Sequence, residues 1–244
     1  MHRILVEHDE LVADTFVPSP AAERHLKAVR LKSGEEVELF DGQGRTKRCR
    51  WTGKSLDPVG GIVMSPKPAF KSTLLACVTK GSRWDWTIEK AVELGVSCIV
   101  PVISERCVVR LAPDEREAKA QRWRRIAADA ARQSDAVWLP EVREAVDFNE
   151  ALTVLMPPMT AFVGIISDPP PPPIWRAVGD AVKNVSSPDA SFGVFVGPEG
   201  DFTTEEAAAL AKAATPVSLG PTILRAETAA IFALSVLMAA GQST

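Results

Sequence analysis

Two short stretches place reactive residue types at turns rich in Gly and Pro. Gly197-Pro198-Glu199-Gly200-Asp201-Phe202 follows the apolar run Val194-Phe195-Val196. Leu219-Gly220-Pro221-Thr222-Ile223-Leu224-Arg225-Ala226-Glu227-Thr228 continues the run Val217-Ser218-Leu219. Glycines after a strand let the backbone come close to a ligand and adopt positive φ. Pro198 stiffens the first turn, and Glu199 sets a carboxylate at its tip. Arg225, Glu227 and Thr228 fall at a loop-to-helix transition, where unpaired amides and hydroxyls can meet a polar ligand. The first stretch is not a Walker loop, since no Gly-Lys-Ser/Thr follows, and it lacks the third glycine of a dinucleotide fingerprint. On its own pattern it reads as an ordinary strand-to-helix turn, and Glu227 as an acidic residue in a first helical turn.

What the chain lacks narrows the chemistry further. Its three histidines are His2, His8 and His25, so the C-terminal part can build neither a Ser-His-Asp triad nor a His-ligated metal site. The four cysteines, Cys49, Cys77, Cys98 and Cys107, are scattered without Cys-x-x-Cys spacing, which indicates neither zinc nor a disulfide framework. Carboxylates, arginine, hydroxyls and backbone groups are left to do any work there, and no metal is expected.

These turns must be positioned by a sheet. Strand, tight loop and helix, repeated about twenty residues apart, put both turns at one end of a parallel sheet, the end where open α/β sheets bind ligands. Candidate strands lie at 74–78, 98–103, 161–166, 193–196 and 216–219, alternating with helical stretches at 84–94 and 114–134. A third loop, Thr79-Lys80-Gly81-Ser82-Arg83-Trp84, follows the first of these strands at the same edge. Thr203-Thr204-Glu205-Glu206 is a capping box that fixes where the loop after Phe202 ends. The last helix, about 227–240, is apolar nearly all round and is expected to be buried in the core or against another subunit. Five consecutive prolines at residues 169–173 predict an extended, stiff surface connection.

Residues 1–70 read differently. Glu36-Val37-Glu38-Leu39-Phe40 alternates polar and apolar, Asp41-Gly42-Gln43-Gly44 signals a hairpin, and residues 46–51 and 60–64 supply further strands. One short helix is expected over 21–29, with His25 and Leu26 inside it. Ser65-Pro66-Lys67-Pro68 reads as a linker, which divides the chain near residue 71 into units 1–70 and 71–244. Charge follows the same division: residues 1–71 carry 12 Lys and Arg against 10 Asp and Glu, and residues 72–244 carry 16 against 21. A net charge of −3 argues against a protein that coats nucleic acid non-specifically. No apolar run approaches the roughly 20 residues of a membrane helix, and the N-terminus turns acidic too soon for a signal peptide. The expected location is the cytoplasm, with no membrane partner. Arg45, Lys47, Arg48, Arg50 and Lys54 form a basic cluster with no intervening acid. Arg48 and Arg50 share a strand face beside Trp51, a candidate to stack on a base. Arg122, Arg124 and Arg125 read equally as phosphate contacts or as surface charge, and the hairpin cluster equally as a solvated face.

Taken in order, residues 80–96, 101–108, 121–126, 133–134, 139–142, 197–202 and 219–230 resemble the motifs of the SPOUT methyltransferases, specifically the family that methylates N3 of a uridine in small-subunit (16S) ribosomal RNA. Residues 25–31 and 39–44 resemble that family's N-terminal domain. The resemblance implies an N-terminal PUA-like β-barrel at 1–70 and a C-terminal SPOUT α/β domain at 71–244 with a trefoil knot. It also implies a homodimer with composite active sites. S-adenosyl-L-methionine is the implied cofactor, held by Gly197, Glu199, Gly200, Leu219, Gly220, Ile223, Leu224 and Thr228. The implied partner is 16S rRNA, taken within the assembled small ribosomal subunit because the basic patches are modest and separate. For catalysis, Glu199 or Glu227 would assist loss of the N3 proton, or Arg225 would stabilise charge on O2 or O4. RNA contacts would come from Arg45, Arg48, Arg50, Arg122, Arg125 and Arg132. The chain departs from the family at Arg132, where Glu is usual, at Asp135-Ala136, where Gly/Asn-Arg is usual, and at Asp201, where a second Gly is usual. Two other readings stay open. One is 2′-O-methylation, disfavoured by Lys80-Gly81-Ser82-Arg83; the other is an RNA-binding protein that has lost catalysis.

Overall fold

The computed structural model describes residues 1–244 apart from 184, 186, 188 and 242–244, together with all side chains of that set except those of 20, 21, 25 and 28. Two compact units emerge, one comprising Met1–Lys67 with Ala128–Leu139, the other Pro68–Ala127 with Pro140–Thr244.

In the first unit, β1 (His2–Leu5) pairs parallel with β2 (Glu36–Phe40), which pairs antiparallel with β3 (Arg45–Trp51), and β3 pairs antiparallel with β4 (Leu56–Met64). The result is a four-stranded sheet in the order β1-β2-β3-β4, with no closed barrel among the described residues. Two short helices, α1 (His8–Val12) and α2 (Pro20–Ala28), accompany it. The second of these is the helix expected over 21–29; the side chain of His25 lies outside the described ones. Ile4, Leu11, Leu26, Val37, Leu39 and Leu56 make the core.

The hairpin at Asp41-Gly42-Gln43-Gly44 forms as read, and its glycines are obligatory. Gly42 and Gly44 have φ of 70° and 85°, and a Cβ on Gly44 would fall 2.3 Å from the Trp138 ring. Leu139 N donates to Gly42 O, and Gly44 N donates to Val137 O. Asp41 closes the turn, accepting from Gln43 N, Arg45 N and the Arg45 guanidinium. Arg3, buried in this unit, donates to Glu38 and to the carbonyls of Ala131 and Ala136, with its guanidinium 4.2 Å from the Phe40 ring centroid.

One expectation for this sheet is corrected. Successive residues of a strand point to opposite faces, and on β3 Arg48 and Arg50 are exposed while Lys47, Cys49 and Trp51 are buried. Trp51 therefore packs in the core and cannot stack on a base. Lys47 leaves the basic cluster, its Nζ donating to Ala13 O at 2.6 Å.

The second unit is a parallel α/β sheet. Its strands β5 (Lys71–Cys77), β6 (Cys98–Ile103), β7 (Glu141–Val142), β9 (Met159–Gly164), β10 (Ser191–Val196) and β11 (Thr215–Val217) run in the order β11-β9-β10-β5-β6-β7, and β8 (Val146–Asp147) pairs with β6. Every pairing is parallel. The helices are α3 (Ser82–Glu93), α4 (Pro113–Gln133, of which residues 128–133 count with the first unit), α5 (Phe148–Val154), α6 (Ile174–Val182), α7 (Thr204–Ala213) and α8 (Ala226–Gly241). β5 buries its last six residues in succession and β6 buries all of its own, as strands covered on both faces must. α8 packs against α3, α6, β5 and β10 through Ala229, Ala230, Ala233, Leu234 and Leu237, small residues mixed with leucines that permit a close approach. Trp84 of α3 meets Trp123 of α4 edge-on at 5.7 Å. The strands read at 74–78, 98–103, 161–166, 193–196 and 216–219 are all present with ends shifted by a few residues. Unforeseen were β1, α1, β7, β8, α5 and α6, all short elements, the longest of nine residues. Among the described residues no helix is long and apolar enough to cross a membrane.

Candidate active site

Three adjacent strands, β11, β9 and β10, end beside one another, and the loops leaving their C-terminal ends enclose a cavity of about 880 Å³. The first loop leaves β9 as Gly164-Ile165-Ile166-Ser167-Asp168 and runs into the prolines. The second leaves β10 as Gly197-Pro198-Glu199. The third leaves β11 and reaches α8 through Leu219, Gly220, Ile223, Leu224 and Arg225. Seven residues named from the sequence thus meet at one cavity. Three do not line it: Gly200, Glu227 and Thr228.

The second loop is built to be rigid. A Cβ on Gly197 would lie 2.9 Å from the Phe202 ring, so the turn folds back on that side chain. Phe202 in turn meets Phe195 of β10 edge-on at 5.3 Å. Asp201 has φ 59°, which explains why a glycine is usual at this position of the family resembled above; here the side chain compensates, Asp201 Oδ1 accepting from Phe202 N at 2.8 Å. Thr203 and Glu206 form the expected capping box: Thr203 Oγ1 accepts from Glu206 N, and Glu206 Oε2 accepts from Thr203 N. The other Glu206 oxygen accepts from Glu105 N at 2.9 Å. Arg106 completes the support, donating Nη1 to the carbonyls of Gly200 and Phe202 at 3.1 and 3.2 Å. Gly200 is therefore part of the turn's underpinning, since a Cβ there would sit 3.2 Å from that of Arg106.

Charge inside the cavity comes from Asp168, Glu199, Asp201 and Arg225. Glu199 pairs with Arg83 at 3.2 Å, which draws the loop after β5 to the site as the sequence anticipates. Arg225 begins α8, its carbonyl accepting from Ala229 N. Glu227, in the first turn of α8, has a buried Oε2 with no hydrogen-bond partner among the described residues.

Close to this turn lies a cluster the sequence did not suggest. Ser104 Oγ stands 3.3 Å from the sulfurs of both Cys77 and Cys107, and Ser104 N donates to the Cys107 sulfur. Hydrogen bonds from Cys77 and Ser104 hold the Cys107 thiol down at about 6 against the opposing effect of burial, and burial pushes Cys77 up. Sequence reasoning also missed Arg106, the Ile165–Asp168 wall, Pro170, Pro171 and Trp175. Gly164 at the end of its strand was the available signal for the first wall, because a Cβ there would clash with Leu219 at 2.9 Å.

The expected RNA-binding arginines differ in how free they are. Arg45 is held by Asp41 and His8, Arg50 by Glu36, and Arg132 by Asp129. Arg122 makes a two-point contact with Asp85 at 2.7 and 2.5 Å. Arg48 and Arg125 are exposed, with no ion-pair partner among the described residues. Asp135 has φ 57°, accounting for the usual Gly/Asn at that position. Among the described residues no group of three or more His, Cys, Asp or Glu side chains could hold a metal ion.

A parallel α/β sheet with a glycine-lined ligand cavity at the carboxyl edge is a frame for small-molecule chemistry. The family model described as the RNA methyltransferase domain matches residues 65–238, and the chain belongs to that family. Among its relatives is the ribosomal RNA small subunit methyltransferase E of Synechocystis sp., 30% identical over 246 residues that cover 98% of this chain and 77% of that protein. The protein of the same name from Aquifex aeolicus is 33% identical over 224 residues, covering 88% of this chain and 90% of that one. The crystal structure of the Neisseria gonorrhoeae enzyme of that name, bound to S-adenosyl methionine, superposes with a TM-score of 0.83 at 28% identity, over 98% of this chain and 97% of that one.

Proposed function

We propose that this chain transfers a methyl group from S-adenosyl-L-methionine to N3 of a specific uridine in 16S rRNA of the small ribosomal subunit. The observation that carries the reading is the three-loop cavity at the ends of β9, β10 and β11, in a chain whose relatives are named for methylation of small-subunit ribosomal RNA. Its size lies within the roughly 300–1,000 Å³ of small-molecule sites. Its lining suits the cofactor: Ile165, Leu219 and Leu224 offer apolar surface, and the carboxylates of Asp168, Glu199 and Asp201 beside Arg225 suit a ligand with both ammonium and carboxylate groups. Bound there, S-adenosyl-L-methionine supplies a methyl group activated by its positive sulfonium.

Gly197, Glu199, Leu219, Gly220, Ile223 and Leu224 would hold the cofactor directly. Gly200 would act by supporting the turn, and Thr228 from the first turn of α8. Arg225 would stabilise negative charge on uracil O2 or O4 as the N3 proton leaves. Glu199, already oriented by Arg83, or Glu227, with its free buried oxygen, would accept that proton. Much of the acceleration would come from alignment alone. The target uridine must be unpaired or flipped, because N3 is engaged in a duplex.

In this reading the N-terminal unit is a PUA-like RNA-binding domain at about 1–70, and 71–244 is a SPOUT domain with its chain end in a trefoil knot. Support for the knot is the passage of the β9–α6 loop alongside the start of the third loop: Ser218 N donates to Pro172 O, and Ile174 N donates to Ser218 O. RNA would be gripped by Arg45, Arg48, Arg50, Arg122, Arg125 and Arg132, with Arg48 and Arg125 free to engage phosphate without breaking an internal pair. A homodimer in the cytoplasm, acting on the assembled subunit, completes the proposal.

The test is a labelled methyl-transfer assay on small ribosomal subunits and on naked 16S rRNA from cells lacking this gene, with the product nucleosides identified by mass spectrometry. The expected product is 3-methyluridine, with the assembled subunit as the preferred substrate. A 2′-O-methyl product would replace the chemistry. Cofactor binding without transfer would reject the substrate, and no cofactor binding would leave an RNA-binding protein.

A further inference from the structure

We propose that the five-proline run at residues 169–173 is a strut of the cofactor site: it pre-shapes one wall of the cavity and holds the 218–224 loop in its binding form, so that these prolines set cofactor affinity. This rests on the methyltransferase reading above. As sequence the run predicts only a stiff surface connection, but Pro170, Pro171 and Pro173 line the cavity.

The strut is anchored at both ends. At its start Ser167 Oγ donates to Pro169 O at 2.9 Å. At its end Pro173, with φ −64° and ψ 140°, caps α6, its carbonyl accepting from Arg176 N at 3.0 Å. Between the anchors it clasps Ser218 from both sides: Ser218 N donates to Pro172 O at 2.9 Å, Ile174 N donates to Ser218 O at 3.0 Å, and Pro173 bridges Ser218 in parallel register. Ser218 opens the third loop, and its Oγ lies 3.3 Å from both the N and the O of Gly220. The clasp therefore transmits the position of the strut to Leu219 and Gly220.

Proline fixes φ near −65° and lacks an N–H, so the run stays extended without hydrogen bonds of its own. The carbonyls of Pro170 and Pro171 have no partner among the described residues, and these are two of the three prolines facing the cavity. They present an apolar wall with acceptors and no donors. A loop of ordinary residues would have to be ordered when a ligand binds, and that cost subtracts from affinity. Five prolines in succession meet it at folding instead.

The experiment is calorimetric titration of S-adenosyl-L-methionine into the full-length protein and into the Pro170→Gly/Pro171→Gly and Pro170→Ala/Pro171→Ala variants, with ligand-free thermal unfolding of each. Glycine can follow the same backbone path but is free to leave it. We expect Kd to weaken about tenfold (~1.4 kcal/mol) in the glycine pair, through a more unfavourable entropy, and by less in the alanine pair. Ligand-free Tm should hold within a few degrees, and KM for the cofactor should rise while kcat stays within about twofold. Should the glycine pair not fold, the alanine pair carries the test with a smaller shift. A Kd within twofold of wild type in a folded variant overturns the proposal, as does a weaker Kd that comes with matching losses of kcat and Tm. A wild-type protein that binds no S-adenosyl-L-methionine overturns the methyltransferase reading itself, an outcome distinct from wild-type binding that the variants leave unchanged.

Discussion

Strand β6 of the C-terminal unit buries all six of its residues, whereas β4 of the N-terminal unit, nine residues long, buries Leu56 alone. The contrast extends to the sheets as wholes. In the parallel sheet the central strands β5, β6 and β10 are buried along nearly their whole length, as strands covered on both faces must be, and act as interior supports. Anything that meets a ligand must then come from the loops at the strand ends, which is where Gly197, Glu199, Leu219 and Arg225 lie. In the N-terminal sheet one face stays open, and Arg48 and Arg50 project from the strand itself. One unit offers an enclosed cavity shaped by backbone; the other offers a solvated face of charges.

The largest expected effect tests that contrast at its centre. Phe195, fully buried on β10 between Phe148 and Phe202, should cost about 3–5 kcal/mol when cut to alanine. Val63→Ala on the exposed β4 should stay within about 0.5 kcal/mol. Urea unfolding of both variants checks the pair, and equal costs would erase the distinction. Next in size is Thr203→Ala, which removes the cap of α7 and should lose about 1 kcal/mol by the same measurement.

Asp41 sharpens the comparison from the N-terminal side. Burial pushes its carboxyl up, but hydrogen bonds from Gln43 N and from Arg45, with the Arg45 charge, outweigh this and hold it below the usual carboxylate value. A folded-state value below the unfolded one means that the stabilisation is present above about pH 4 and is lost as pH falls through the folded value. Asp41→Asn should therefore be less stable than wild type at pH 7 by about 1 kcal/mol, and the gap should close on acidification. A gap that widens toward low pH would reverse the assignment. The smallest effect belongs to the open face: Arg48→Ala should lower the salt dependence of RNA binding by about one phosphate contact, measured as the slope of log Kd against log salt. An unchanged slope would remove Arg48 from the interface.

The C-terminal unit was the more legible for the same physical reason that it hides its side chains. Strands buried on both faces are written as continuous apolar runs, so β5, β6 and β10 stand out, and the glycines and the Thr203–Glu206 cap mark the turns between them. The wall made by residues 165–171 was not legible, because prolines signal stiffness and say nothing about what lies beside them; they also masked the start of α6. In the N-terminal unit the alternation of β3 was readable, but the same alternation places Trp51 and Lys47 inside, and a basic cluster read as composition hid that. Arg106 escaped notice as a support because its partners, Gly200 and Phe202, lie far away in sequence. No local pattern records such contacts.

The central claim is that the cofactor sits among the three loops of the parallel sheet and not on the N-terminal unit. The direct measurement is ultraviolet cross-linking of methyl-labelled S-adenosyl-L-methionine to the full-length protein, followed by peptide mapping of the label. The account predicts label within residues 164–175, 196–201 or 218–229, suppressed by excess unlabelled cofactor. Competable label confined to residues 1–67 would contradict it.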